Sequence, residues 1–134
     1  MSGGWLQPAA TKVAPRRAGA KGRGVYATAA IAAGEVILCD CTIELSEADV
    51  VAVTPTAIDN YYFAHPAGDR LGLVVLGLAS LCNHADAPSA LTLTERDPEL
   101  GWLVTLVAAR AIAAGEEITR RYACPVWFEP AREA

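Results

Sequence analysis

Short runs of apolar and alternating residues, interrupted by turn residues, dominate the pattern of this chain. The segments "GVYAT", "VILCDCTIEL" and "WLVTLVAA" are rich in β-branched and aromatic residues, which is typical of strands. "LTLTERDPELGWLVTLVAA" predicts two strands joined by a turn at Asp97-Pro98. Because strands do not alternate with long helices, a doubly wound nucleotide-binding fold is not expected. The pattern predicts a mainly β fold with a minor α+β character.

Helix signals are few, and the clearest is "SEADVVAV". Ser46 can act as the N-cap, with Asp49 three residues later completing a variant of the capping box. Pro55 then stops the helix, since proline cannot continue the backbone hydrogen bonding of a helix. We therefore expect a short helix between strand-rich segments.

One sequence pattern occurs twice. "ATAAIAAGEVI" at residues 27–37 recurs as "AARAIAAGEEI" at residues 108–118. Two distant copies do not make a solenoid, which needs several adjacent repeats. Gly34 and Gly115 fit the positive φ that a tight Ala-Ala-Gly-Glu turn requires. The repeat predicts two similar corners in the fold.

Composition and charge narrow the class of protein. The chain has 134 residues, 53% of them hydrophobic, which suits one globular domain with a single core. Its net charge is −4, and a basic N-terminal segment precedes an acidic stretch that contains Asp40, Glu44, Glu47, Asp49 and Asp59. This balance does not indicate nucleic-acid binding. An acidic surface would suit a basic peptide partner, although a solvated face is the simpler interpretation.

The chain carries no evident targeting or membrane segment. Its longest apolar run, residues 71–82, is too short to span a bilayer. The N-terminal residues lack the continuous apolar stretch of a signal peptide. We therefore expect a cytoplasmic protein with reduced cysteines and no membrane partner.

Asn83 and His84 follow directly on that apolar run, although buried polar groups need partners. Cys39, Cys41, Cys82 and His84 could bind zinc, but the Cys-x-Cys and Cys-x-His spacings are not those of structural zinc sites. Cys39 and Cys41 instead fit a core-facing strand. Cys82 continues the apolar run, which indicates a buried thiol rather than a nucleophile.

Four segments taken together resemble the SET domain of protein-lysine methyltransferases. They are "GRGVYATAAIAAGEVI", "DNYYF", "LASLCNHADAP" and "AARAIAAGEEITRRYAC", in this order, and the resemblance covers about residues 21–123. It implies small curved sheets around a knot-like C-terminal threading. It also implies an N-terminal extension at residues 1–20 and a catalytic domain at residues 21–134 that includes a short C-terminal lid.

The resemblance implies S-adenosylmethionine as cofactor, a lysine-bearing protein or peptide as substrate, and no metal. Tyr122 matches the catalytic tyrosine. Two further groups of residues are implied. The cofactor-binding group is Lys21, Gly22, Arg23, Tyr61, Asn83 and His84, and the substrate channel group is Tyr62, Phe63, Trp127 and Phe128.

The chain departs from the family pattern in two places. The usual Asn-His-Ser and Pro-Asn read Asn83-His84-Ala85 and Pro88-Ser89. Arg120 and Arg121 precede the tyrosine, where an acidic or amide residue is usual. The arginines favour an alternative function, a non-catalytic SET-like module that binds a peptide or partner. A domain this small could also form a homodimer that completes its substrate groove, although no residue indicates the interface.

Overall fold

The computed structural model describes residues 11–122. Strands make up most of the regular structure of these residues, and one α-helix accompanies them, as the hydrophobic pattern predicted. The nine strands of this part of the chain are β1 (Val13–Arg17), β2 (Arg23–Ala27), β3 (Val36–Leu45), β4 (Phe63–His65), β5 (Gly68–Val75), β6 (Asn83–His84), β7 (Ala90–Asp97), β8 (Gly101–Ala108) and β9 (Glu117–Arg120).

The strands form two sheets. One has the order β1-β2-β9-β6 and the other the order β4-β5-β3-β8-β7. All neighbouring strands are antiparallel except β6 and β9, which place Asn83 opposite Thr119 and His84 opposite Arg120. The last strand of the described chain therefore lies inside its sheet, between β2 and the Asn-His segment.

The two copies of the repeat pair with each other. Ile31 and Ile112 exchange both backbone hydrogen bonds at 2.9 Å, and Gly34 and Gly115 each donate to a carbonyl of the other copy at 2.8 Å. The two glycines have φ values of +83° and +91°, which confirms the predicted turn conformation. The sequence predicted two similar corners. In the fold they pair through reciprocal backbone hydrogen bonds, so that a local two-fold axis relates them.

The predicted helix and hairpin are both present. Helix α1 spans Glu47–Val53, and Ser46 caps it in a complete capping box with Asp49. The turn between β7 and β8 is held by Asp97, whose Oδ1 accepts the backbone N–H groups of Glu99 and Leu100 at 2.8 and 2.9 Å. Local side-chain hydrogen bonds therefore fix both elements, as their sequences indicate.

The core lies between the sheets and is aliphatic, with Val25, Leu73, Val104, Leu106 and Ile118 completely enclosed. Cys39 is buried, and its sulfur accepts a hydrogen bond from Thr105 at 3.3 Å. The expectation that Cys41 also faces the core was wrong, because that side chain is exposed. Alternation puts both thiols on one face of β3, but only part of that face is covered.

The first described strand lies within the expected N-terminal extension. Part of the predicted N-terminal extension, residues 13–17, forms β1 and pairs along its whole length with β2. Among residues 11–122 no helix combines the length and apolar character that crossing a bilayer requires.

Candidate active site

A 3-10 helix at Leu78–Leu81 brings the polar pair Asn83 and His84 to the surface of the core. Its start is fixed by Asp40 of β3, whose Oδ2 accepts the backbone N–H of Ala79 at 3.3 Å. The Asp40 carboxyl also packs against Gly77 so closely that no side chain would fit there. Burial raises the pKa of Asp40 above its ordinary value. The strand that follows the first repeat therefore fixes, through Asp40, the position of the 3-10 helix that precedes Asn83.

Asn83 joins the two sides of the site through its amide. Its Nδ2 donates to the carbonyl of Arg23 at 3.0 Å and to Oε2 of Glu117 at 2.7 Å. The other carboxylate oxygen of Glu117 accepts from Nζ of Lys21 at 2.5 Å. Both side chains of this ion pair are about 15% exposed, at 15% and 14%. Glu117 thus holds the loop at residues 21–23 against the Asn83 segment.

Glu117 was not among the residues predicted for the site. The signal was present, because the two repeats differ at this position, with Val36 in the first copy and Glu117 in the second. Gly24 makes room for the network, since a Cβ there would lie 2.5 Å from Glu117 Oε2 and 2.8 Å from Asn83 Nδ2. A charged residue in a repeat that otherwise predicts a core strand indicates a buried ion pair.

His84 and Tyr122 form the second part of the site. The backbone N–H of Tyr122 donates to Nδ1 of His84 at 3.0 Å, and the two rings lie 5.0 Å apart. Since Nδ1 accepts, the proton of the neutral ring is on Nε2, which can donate to Asp86 at 3.0 Å. The Tyr122 hydroxyl donates to the carbonyl of Cys82 at 3.4 Å. His84 therefore positions Tyr122 rather than lining the cavity.

Cys82 contributes its carbonyl and not its thiol. Its side chain is buried, and burial raises the pKa of the thiol to about 12. Such a thiol is not a nucleophile at neutral pH, which agrees with the sequence-based prediction of a buried, unreactive Cys82. In the part of the chain that the structure covers, no three metal-ligating side chains converge, so the zinc alternative finds no cluster there.

One cavity gathers most of the residues implied for cofactor binding. It encloses about 440 Å³ and is lined by Lys21, Gly22, Arg23, Asn60, Tyr61, Ser80, Leu81, Cys82, Asn83 and Tyr122. Two cationic residues and two tyrosines are among the residues that line it. This volume falls within the range of about 300–1,000 Å³ that is usual for small-molecule pockets.

A second cavity of about 410 Å³ lies beside Arg120, at the end of β9. It is lined by Phe63, Ala64, Asp86, Pro88, Ala90, Leu91, Thr92, Thr94, Arg120 and Arg121. The guanidinium carbon of Arg120 is 3.6 Å from the centre of the Phe63 ring and 4.8 Å from that of Tyr122. The cation–π contact of Arg120 therefore connects a wall of the second cavity with a wall of the first.

Among the residues implied for the channel, Phe63 joins this arrangement and Tyr62 does not. Tyr62 is half-buried, and its ring packs over Gly72 of β5, where a Cβ would lie 2.6 Å from the ring. Phe63 is buried in the core and reaches the second cavity with its ring face. Trp127 and Phe128 lie outside the described residues.

Ser89 compensates for one departure from the family pattern. It is fully buried, and its hydroxyl donates to the carbonyl of Glu117 at 3.0 Å while accepting from the backbone N–H of Thr119 at 2.9 Å. The backbone of β9 is thus held by the residue that stands in the place of an asparagine.

Comparison with known proteins identifies the family. The SET domain model matches residues 22–123, and this chain belongs to the SET-domain family. The match contains both copies of the repeat, the Asn83-His84 pair and Tyr122. No curated protein sequence matches the chain significantly.

Solved structures agree with this assignment at the level of the fold. A candidate histone methyltransferase of Plasmodium falciparum superimposes with a TM-score of 0.72 at 22% identity, covering 89% of this chain and 99% of that one. Polycomb Repressive Complex 2 of Chaetomium thermophilum bound to S-adenosylmethionine gives 0.72 at 21% identity, covering 86% of this chain and 15% of that one. The same complex with H3K27me3 and H3K27M gives 0.72 at 20% identity, covering 87% and 15%.

Proposed function

We propose that this protein is an S-adenosylmethionine-dependent protein-lysine methyltransferase. The observation that carries the proposal is the first cavity, which gathers residues 21–23, Asn83 and Tyr122 from three distant parts of the chain. SET-domain structures with S-adenosylmethionine or methylated histone peptides are among its structural neighbours. The proposal therefore combines a site built by this chain with the chemistry of its family.

The residues around this cavity fit the cofactor. Arg23 supplies positive charge for a carboxylate, whereas the charge of Lys21 is balanced by Glu117, and the aromatic ring of Tyr61 offers a face for a purine. Both donors of the Asn83 amide are used in hydrogen bonds with Arg23 and Glu117. The side chain therefore shapes the cavity, and we expect the backbone of Asn83 to contact the ligand. When bound, S-adenosylmethionine supplies an electrophilic methyl group on a sulfonium.

Tyr122 is the residue proposed to contact the reacting atoms. Its phenol lies on the wall of the cofactor cavity, and its backbone is fixed by His84. In-line transfer depends on alignment, so a hydroxyl that orients the amine lowers the barrier. The amine must also be neutral, whereas free lysine has a pKa of about 10.4. Exclusion of water beside Tyr122 would act in the required direction, because desolvation disfavours the protonated amine.

Two measurements test this function. Isothermal titration of S-adenosylmethionine into the purified protein should give saturable 1:1 binding. Incubation with labelled cofactor and cell extract should then modify lysines that mass spectrometry can locate. Tyr122→Phe should keep cofactor binding and lower transfer about 100-fold, as expected for loss of one hydroxyl that acts in the transition state.

Each result separates the proposal from the alternative. Absence of cofactor binding would reject the proposal. Binding without transfer to any lysine would favour the non-catalytic SET-like module, which the Arg120 contact with Phe63 and Tyr122 supports. Transfer by Tyr122→Phe at the parental rate would show that Tyr122 has another role. The cytoplasmic location and the homodimer stay predictions.

A further inference from the structure

Arg120 and Arg121 are neighbours in sequence but lie in different environments. Strand β9 alternates between inward and outward positions, so Arg120 is 8% exposed while Arg121 is exposed. The inward guanidinium carbon lies 3.6 Å from the centre of the Phe63 ring and 4.8 Å from the centre of the Tyr122 ring. A buried cation therefore lies beside two aromatic rings, one of which belongs to the tyrosine proposed for catalysis.

This position is the junction between the two cavities. Tyr122 lines the first cavity, Phe63 lines the second, and Arg120 contacts both rings. If the cofactor binds in the first cavity, as proposed above, a side chain that enters from the second must pass Arg120 to reach the Tyr122 hydroxyl. We call the space between the Phe63 and Tyr122 rings the amine slot.

The amine slot favours one cation and disfavours two. Aromatic ring faces attract a guanidinium or ammonium group, which explains the resting position of Arg120. Arginine does not lose its proton in proteins, so its charge stays in the slot at any relevant pH. A protonated lysine in the same slot would meet a like charge in surroundings where screening by water is weak.

We propose that Arg120 is a specificity-determining residue that holds the amine slot until an acceptor segment draws it out. Among the residues that line the second cavity, two are arginines and one is an acid, Asp86, which lies 3.0 Å from His84. A carboxylate beside the acceptor lysine would pair with the displaced guanidinium. The substrate class is therefore a lysine with acidic neighbours, and a highly basic segment is disfavoured.

The first experiment measures occupancy of the slot without cofactor. n-Butylammonium, which mimics a lysine side chain, is titrated while the ring signals of Phe63 and Tyr122 are followed by NMR. Arg120→Met should bind it about tenfold more tightly than the parent protein, since a cation–π site is vacated. Arg121→Met is the matched control, because it removes the same charge from the same cavity wall and should behave like the parent.

Equal binding by the parent and Arg120→Met, or an equal gain in both variants, would overturn the proposal. Circular dichroism and thermal melting show whether each variant folds. The second experiment needs no variant. The parent protein should bind an acetylated Glu-Lys-Glu peptide about threefold more tightly than Gln-Lys-Gln, and 0.5 M salt should remove the difference. Equal affinities, or a preference for the neutral peptide, would reject the inference.

These outcomes are independent of those that test the enzyme itself. Both titrations are made in the absence of S-adenosylmethionine, so they report on the amine slot alone. Failure of the cofactor to bind would reject the methyltransferase proposal without changing the Arg120 result. Cofactor binding with no effect of Arg120→Met and no peptide preference would reject the role of Arg120 and leave the enzyme.

Discussion

The two copies of the Ala-Ala-Gly-Glu corner form the same turn but are followed by strands with different roles. In both, the turn glutamate accepts a backbone N–H from three residues earlier, from Ala32 to Glu35 at 2.9 Å and from Ala113 to Glu116 at 2.7 Å. The first corner leads into β3, in the middle of the five-stranded sheet. The second leads into β9, which carries Glu117 and Arg120 and is followed by Tyr122. The same turn therefore supports core packing in one copy and the candidate site in the other.

The difference depends on the residue after the turn glutamate. Val36 in the first copy corresponds to Glu117 in the second, while the next residue, Ile37 or Ile118, is buried in both. The core contact is thus kept, and only the neighbouring position changes from apolar to charged. One such change gives the second corner the ion pair with Lys21 and the hydrogen bond with Asn83.

Glu117→Val should have the largest effect, because it makes the second corner identical to the first in this segment. The Asn83 amide would lose its strongest acceptor, and a buried donor without an acceptor costs about 1–3 kcal/mol. We expect S-adenosylmethionine affinity to fall about tenfold or more in calorimetry and thermal stability to drop. Glu117→Gln, which keeps an acceptor oxygen, should lose less. Unchanged binding by the valine variant would contradict the role given to Glu117.

Gly24→Ala should come next, since its new methyl group would collide with the Glu117 and Asn83 side chains. Overpacking of this kind destabilises by about 1–3 kcal/mol, which urea unfolding can measure. The penalty should shrink when Glu117→Val is already present, because the closest atom is then absent. Additive effects of the two changes would show that Gly24 acts elsewhere.

Gly34→Ala and Gly115→Ala should have smaller effects, equal to each other. Both glycines have positive φ, and a Cβ at either position would meet nothing within 4 Å. The penalty is then backbone strain alone, about 1–2 kcal/mol in each. Urea unfolding of the two variants measures it. A clearly larger loss at one corner would show that the two turns are not equivalent.

Glu35→Gln and Glu116→Gln should have the smallest effects, which are present at neutral pH and disappear in acid. The pKa of Glu35 is lowered by its hydrogen bond with Lys12 and then by the Ala32 N–H, and that of Glu116 by the Ala113 N–H and then by Arg110. Because the folded pKa is lowered, each contribution is complete above the ordinary value of 4.5 and is lost as the pH falls.

Thermal melting below pH 4.5 checks this expectation. The parent protein should lose stability more steeply than either glutamine variant, since the variants lack the titrating group. Parallel curves for all three proteins would contradict the account of the two corners.

Much of the fold could be predicted because its signals are local. The Ser46 capping box, the Asp97 turn and the positive φ of Gly34 and Gly115 each depend on a few adjacent residues. The pairing of the two corners could not be predicted, since it depends on backbone groups that any sequence provides. The exposure of Cys41 was missed because alternation along a strand gives the face but not what covers it.

The candidate site was predictable where the family pattern fixes a residue, as at Asn83 and Tyr122, which share one cavity. Glu117 was missed because its difference from Val36 shows that a charge replaces an apolar residue but does not show that the partner is Lys21, 96 positions away. Arg120 was noticed only as a departure from the pattern. Its burial against Phe63 depends on β4 and β9 approaching in space, which neither strand encodes alone.

The central place of β9 has a consequence for when the candidate site can form during synthesis. During synthesis, β1, β2 and the Asn83 segment leave the ribosome well before residue 122, yet the four-stranded sheet cannot close until its inner strand arrives. The first cavity therefore cannot form on the nascent chain until the segment that ends at Tyr122 has been translated. A ligand of that cavity would stabilise only chains that already contain this segment.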